Sequence, residues 1–214
     1  KVVCYFGSWS VYRPSKGQIN INDIDPKLCT HLIYSFVLLN GNQVVSADPW
    51  ADLADGGGKD GYRQFVALKN QNPDVKVLIA IGGWNDSQGP KYSNMVSSPQ
   101  SRKQFVQSVV EYVKKYNFDG FDVDWEYPTK NGGKPSDKAN YILLLKELRE
   151  AFDKAGGLLL TAAVAAPQGT AAEAYDVPKM SKYLDFINLM TYDFHGSWER
   201  FTGHHAALEG SLSV

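Results

Sequence analysis

The chain of 214 residues carries almost no net charge, with 22 Lys and Arg set against 23 Asp and Glu. Such a balance exerts no electrostatic pull toward nucleic acid or an anionic membrane surface. No run of 18 or more apolar residues occurs, so no segment reads as a membrane-spanning helix. Repeats, low-complexity tracts and interdomain linkers are lacking too. With 43% hydrophobic content the chain is therefore expected to be one domain, or a large part of one. His195, His204 and His205 lack metal-ligand spacing and read as loop residues, so no metal site is expected. Cysteine is nearly absent. Cys4 and Cys29 stand at the openings of the first two strand-like runs, and either a bridge between neighbouring strands or two buried thiols fits that placement.

What the chain does have is concentrated in one stretch, Asp119-Gly120-Phe121-Asp122-Val123-Asp124-Trp125-Glu126-Tyr127-Pro128. On an extended strand the period of two sends Asp122, Asp124 and Glu126 to one face and Phe121, Val123 and Trp125 to the other. Successive acids then have Cα atoms roughly 6–7 Å apart, and ionising all three in a partly buried site carries a strong like-charge penalty. At least one proton is expected to remain near neutral pH. A hydrolase that must protonate a poor leaving group needs such a retained proton. An exposed edge strand would tolerate the same acids as a solvated face. A calcium loop also alternates Asp with other residues, but its turn glycine is missing, since Trp125 and Glu126 follow Asp124.

Around this row, short apolar runs alternate with amphipathic ones. Strands are expected near 2–6, 31–37, 75–81, 119–127, 158–165 and 184–190, with a hairpin at Asn40-Gly41. Helices are expected from about Lys59 to Asn70, from Ser98-Pro99 onward, and from a Ser136-Asp137 cap to about Lys154; residues 172 to 183 read as weakly helical, interrupted by Pro178. Strands alternating with helices imply a parallel sheet covered on both faces. The aromatic content, five Trp, twelve Tyr and ten Phe, suits a ligand with flat apolar faces, such as a sugar ring.

The pattern Asp119-x-x-Asp122-x-Asp124-x-Glu126 followed by Tyr127-Pro128 resembles the signature of the glycoside hydrolase family 18 chitinases, in an animal and particularly arthropod flavour. The segments Cys4-Tyr5-Phe6, Tyr12-Arg13-Pro14, Cys29-Thr30-His31-Leu32-Ile33-Tyr34-Ser35-Phe36, Ala80-Ile81-Gly82-Gly83-Trp84 and Met190-Thr191-Tyr192-Asp193 match the same family in the same order. The resemblance implies an α/β fold, a (β/α)8 TIM barrel, of which residues 1–214 supply about the first six βα units of the catalytic domain. Two further strands, one bearing a tryptophan on the cleft floor, would follow in the family pattern. It also implies a Cys4–Cys29 disulfide and a secreted, extracellular protein. Lys1 opening directly into a strand and the Asn85-Asp86-Ser87 glycosylation sequon agree with secretion.

The implied activity is chitin hydrolysis without cofactor or metal, by a monomer acting on chitin or chitooligosaccharide. Glu126 would be the general acid and then base, Asp124 would orient the substrate's acetamido group, and Asp122 would share a proton with Asp124. Tyr192 would hold the acetamido carbonyl, and Asp193 a sugar hydroxyl or the acids' hydrogen-bond network. Tyr127 and Met190 would line the same subsite. Tyr5, Trp9, Phe36, Trp84 and Trp198 are expected as stacking surfaces, with Trp50 a weaker rim candidate. Gly83 would bring the backbone close to the ligand, and Asn85 is both a cleft candidate and a glycosylation candidate. Asp119 is expected to be structural. Many microbial relatives have serine where Ala80 stands, which touches the hydrogen bonding behind Asp122. The competing expectation is a chitinase-like lectin or growth-factor-like protein that binds sugar without cutting it; such relatives typically lose the acid, whereas Glu126 is present.

Overall fold

The computed structural model describes residues 1–209. Its strands are β1 (Val3–Gly7), β2 (His31–Asn40), β3 (Gln43–Ser46), β4 (Lys76–Gly82), β5 (Gly120–Asp124), β6 (Leu159–Ala165) and β7 (Phe186–Met190). Six of them pair in parallel in the order β1-β2-β4-β5-β6-β7, and β3 folds back antiparallel on β2. The hairpin turn sits one residue later than expected: Asn40 pairs with Gln43, leaving Gly41 and Asn42 as the loop. Gly41 takes a φ of +60°, which glycine adopts without steric cost.

The helices are α1 (Pro49–Asp52), α2 (Gly61–Val66), α3 (Gly83–Asp86), α4 (Lys91–Val96), α5 (Pro99–Lys115), α6 (Asp137–Lys154), α7 (Gln168–Ala174) and α8 (Val177–Met180). In α5 the Ser98 side chain accepts from the Ser101 N–H and Pro99 fills the first turn, while Lys114 and Lys115 close the end where carbonyls are left over. Its inward stripe is Phe105, Val106, Val109 and Val113; that of α6 is Tyr141, Leu144, Leu145, Leu148 and Phe152. These stripes pack on Phe121, Val123 and Trp125, so the main core lies between the sheet and its helices. The concave face buries only a small apolar cluster of Ile33, Leu78 and Ala80. Above it stand the polar residues.

Several expected boundaries move. Ser136 makes no side-chain cap bond; instead the Asp137 carboxylate accepts from the Lys134 N–H at 2.6 Å and from Ser93 Oγ at 2.8 Å. The helix expected to run to Asn70 is α2, continued by a 3-10 turn over Ala67–Asn70. Pro178 begins a helix rather than interrupting one, because a proline in the first turn gives up no intrahelical bond. The described part of the tail, to residue 209, adds no strand or helix; residues 210–214 lie outside the described residues.

Val3 pairs with His31, which brings the openings of β1 and β2 together, and Cys4 and Cys29 form a disulfide with Cα atoms 6.2 Å apart. The bridge closes a 25-residue separation. Chain entropy assigns such a loop about 3–4 kcal/mol. A Cys4→Ser/Cys29→Ser double variant is expected to lose about that much unfolding free energy in denaturant titration; an unchanged midpoint would contradict it.

Candidate active site

In the parallel register Asp122 lies level with Ala80 on one side and Thr161 on the other, and Asp124 lies level with Gly82. Both carboxyls are buried. Asp122 is well supplied with donors. The Tyr5 hydroxyl reaches its Oδ2 at 2.8 Å, the Thr161 hydroxyl reaches Oδ1, and Asn188 Nδ2 lies 3.4 Å from Oδ1. Asn188 also donates to the Tyr5 hydroxyl at 2.8 Å. Burial raises the Asp122 pKa above the ordinary carboxylate value, and these three donors oppose that rise.

Asp124 is different. Its Oδ1 is buried without a hydrogen-bond partner among the described residues. Burial first, then the charges of Glu126 and Asp122, push its pKa up to about 9. Asp124, without donors, is raised by burial and by both neighbouring acids, whereas Asp122 is raised by burial and held back by its three donors. Glu126 stands two residues beyond the end of β5, half-buried, so it is the last acid of the row but no longer part of the strand. Burial raises its pKa too, with Tyr127 opposing and Asp193 adding to the rise.

Two glycines allow this geometry. Gly82 has a φ of +110°, and a Cβ on it would stand 2.0 Å from the Asp124 carbonyl oxygen. Gly83 has a φ of +78°, and a Cβ there would meet the Phe36 ring at 2.7 Å. The end of β4 thus lies against the acidic strand, and Phe36 turns over the glycine pair to stack on Trp9, with ring centroids 5.9 Å apart and planes at 15°.

A cavity of about 1020 Å³ opens above these glycines. Asp124, Glu126 and Tyr127 line it from the end of β5 and just beyond, Met190, Tyr192 and Asp193 from the end of β7 and just beyond. Trp9, Phe36, Gly83, Trp84, Asn85 and Trp198 complete the walls predicted from sequence. Trp9, Trp84 and Trp198 are 49%, 56% and 65% exposed, so these rings face the opening rather than the core. The peptide bonds Ser35–Phe36 and Glu126–Tyr127 at this end of the sheet are cis.

Two predicted residues lie elsewhere. Asp122 sits beneath the cavity, reached through Asp124. Tyr5, expected as a stacking surface, donates its hydroxyl to Asp122 and lines an adjoining cavity with Phe36, Asp124, Met190 and Tyr192. Trp50 does not line the cavity but stacks on Tyr12, which does, with centroids 6.2 Å apart. Asp119 is at the opposite end of its strand, bonded to the Val77 N–H at 2.8 Å and Lys69 at 2.9 Å, a structural tie. His205, expected as a bystander, accepts from the Asp193 N–H at 3.2 Å. Among the described residues no cluster of three His, Cys, Asp or Glu has the geometry of a metal site.

Thr161, Asn188 and Ser87 were not anticipated. Thr161 and Asn188 each interrupt an apolar strand on the same alternating face as their inward neighbours, and the period-two pattern carried that signal. Ser87 carried none, because it lies in the sequon and contacts the acidic strand only through folding. Ala80 supplies no hydroxyl behind Asp122; that duty falls to Tyr5, Thr161 and Asn188.

Comparison with known proteins agrees with this geometry. The model of the glycosyl hydrolases family 18 matches residues 1–214. The chain belongs to that family. It is 49% identical over 209 residues to probable chitinase 2 of Drosophila melanogaster, covering 97% of this chain and 43% of that protein. The Ostrinia furnacalis group IV chitinase, solved in complex with allosamidin, superposes with a TM-score of 0.90 at 44% identity over 96% of this chain and 54% of its own. Human YKL-39, described as a pseudo-chitinase with retained chitooligosaccharide binding, superposes with a TM-score of 0.83 at 39% identity over 96% of this chain and 55% of its own. The chain thus spans about half the length of the relatives it matches. Its curved parallel sheet with outer helices is a partial (β/α)8 barrel of this family.

The proton on Asp124 has a measurable consequence. A carboxyl raised to about 9 when folded, against an ordinary value near 4 when unfolded, binds a proton in the folded state that the unfolded chain has released. Its contribution to stability is therefore fully present below about pH 4 and lost as pH rises to about 9, and Asp122 adds to the same slope. Asp124→Asn should flatten the fall in unfolding free energy between about pH 5 and pH 9. A slope equal to that of the unsubstituted protein would refute the assignment.

Proposed function

We propose that this protein hydrolyses β-1,4 linkages between N-acetylglucosamine units of chitin, in endo fashion, with retention and with the substrate's acetamido group as nucleophile. The observation that carries this is the meeting of Asp124, Glu126 and Tyr192 with three exposed tryptophans on one cavity. Burial raises the carboxyls of Asp124 and Glu126 alike, and Asp193 adds to the rise on Glu126. A protonated Glu126 at the cleft is what a glycosidic leaving group requires.

In the first step Glu126 gives its proton to the glycosidic oxygen while the acetamido oxygen bonds to the anomeric carbon. The glycosidic bond breaks, and the leaving sugar departs as an alcohol. In the second step water attacks the same carbon, Glu126 recovers a proton from it, and the bond to the acetamido oxygen breaks. The substrate's own amide replaces the second carboxylate that retaining glycosidases otherwise need. Asp124, with an oxygen lacking a partner, is suited to accept from the acetamido N–H. Tyr192, exposed at the end of β7, is suited to donate to the acetamido carbonyl, and burial first, then the nearby acids, raise its pKa to about 12, which keeps the phenol protonated. Trp9, Trp84 and Trp198 offer flat faces for sugar rings, Phe36 supports Trp9, and Tyr127, Met190 and Asp193 border the reacting sugar.

Asn85 stands on the cleft wall in α3, and a glycan there would occupy the space assigned to substrate. We therefore favour its role as a sugar contact. The Cys4–Cys29 bridge supports a secreted, extracellular protein, since such bonds persist in oxidising surroundings. The protein acts as a monomer, without metal or cofactor.

Glu126→Gln is expected to lower turnover of a soluble chitooligosaccharide by at least ~10²–10⁴-fold while oligosaccharide affinity is retained. Binding without turnover in the unsubstituted protein would favour the sugar-binding alternative, whose precedent is the pseudo-chitinase relative. Unchanged turnover in the variant would eliminate the mechanism.

A further inference from the structure

Glu126 stands where the sheet no longer holds the backbone. The last ladder pair toward β4 is Gly82 with Asp124, and the last toward β6 is Val123 with Ala162. Two side chains from separate loops take over. The Glu126 N–H donates to Ser87 Oγ at 2.9 Å, and the Glu126 carbonyl accepts from Asn131 Nδ2 at 3.0 Å. Both polar ends of one residue are thereby pinned, one from each side.

The two partners in this support, Ser87 as acceptor and Asn131 as donor, are themselves anchored. Ser87 is fully buried at the C-terminal end of α3, its N–H bonded to the Gly83 carbonyl at 3.0 Å, which ties it to the end of β4. Its hydroxyl also donates to the Asp124 carbonyl at 3.5 Å. The preceding Asp86 accepts from the Leu39 N–H at 3.1 Å and the Tyr92 hydroxyl at 2.6 Å and pairs with Lys91, fixing α3 to β2. Asn131 lies in the loop after the acidic strand, with a φ of +50°. That loop meets the Ser87 loop backbone to backbone: a Cβ on Gly132 would stand 2.7 Å from the Gly89 carbonyl carbon. The two loops form one unit closed around Glu126.

We propose that Ser87 and Asn131 are positioning residues for the general acid, a pair of side-chain bonds that replaces the missing sheet ladder and holds the Glu126 carboxyl on the line of the scissile bond. Neither touches substrate in this scheme. This rests on Glu126 being the acid, and it adds that its aim is set by a serine within a glycosylation sequon. The hydroxyl of Ser87 is committed to the Glu126 peptide, a second reason for Asn85 to be a cleft residue.

The test measures kcat and KM on a soluble chitooligosaccharide for Ser87→Ala, Asn131→Ala and the double variant, beside Ser93→Ala. Ser93 is an equally buried serine that bonds Asp137 and has no contact with Glu126. Misplacement of a catalytic group by about 1 Å costs up to ~10²-fold, so Ser87→Ala should lower kcat by ~10-fold or more with KM within about twofold. The double variant should lose less than the product of the single losses, because both act on one residue. Ser93→Ala should keep kcat. A kcat for Ser87→Ala equal to that of Ser93→Ala, or a change confined to KM, overturns the proposal. Amide hydrogen exchange at Glu126 gives a readout independent of turnover: slow in the unsubstituted protein, and at least ~10-fold faster in Ser87→Ala with the β5 amides unchanged. If the unsubstituted protein shows no turnover, the hydrolase reading fails, and exchange at Glu126 alone upholds or overturns the support given by Ser87.

Discussion

Two carboxyls buried side by side cannot both ionise in the low dielectric of a sheet interior, and the concave face of this protein is arranged around that restriction. One acid is given every donor in reach, and the other is given none. Tyr5 from β1, Thr161 from β6 and Asn188 from β7 converge on Asp122, while Asp124 Oδ1 is left without a partner. Burial raises both carboxyls, and only on Asp122 do donors oppose that rise. Because Asn188 also bonds the Tyr5 hydroxyl, the same network connects β1 with β7, the two ends of the parallel sheet order.

The second requirement is close approach. Glu126 just past a strand end is walled by a neighbouring strand at close range, and Gly82 and Gly83 allow this by removing two Cβ atoms that would strike the Asp124 carbonyl and the Phe36 ring. Their positive φ values turn the chain directly from β4 into α3, which delivers Trp84 and Asn85 to the cleft wall and Ser87 to the Glu126 peptide. One turn therefore sets the cleft's shape, an exposed ring on its wall and the backbone of Glu126.

Much of this was legible beforehand. The alternation in 119–127 separated acids from apolar residues as the sheet does, and the apolar runs located all six parallel strands. Helix ends were less legible. Ser136 looked like a cap, yet Asp137 makes the bonds, since cap geometry depends on a backbone conformation that residue type only biases. The hydrogen bond of the Tyr5 hydroxyl to Asp122 was not legible, because an aromatic ring suggests stacking and only the register of β1 brings the hydroxyl to that carboxyl.

The sequence by itself determined the alternation of strands and helices, the acidic row and, through its motifs, the family and its barrel, because periodicity and motif spacing are local properties written along the chain. Tertiary structure alone decided which acid is given donors, which strands supply them to Asp122, and how Glu126 is held. Those depend on burial and on bonds between residues far apart in sequence, 117 positions in the case of Tyr5 and Asp122, and no local pattern encodes the dielectric or the partners that a side chain meets after folding.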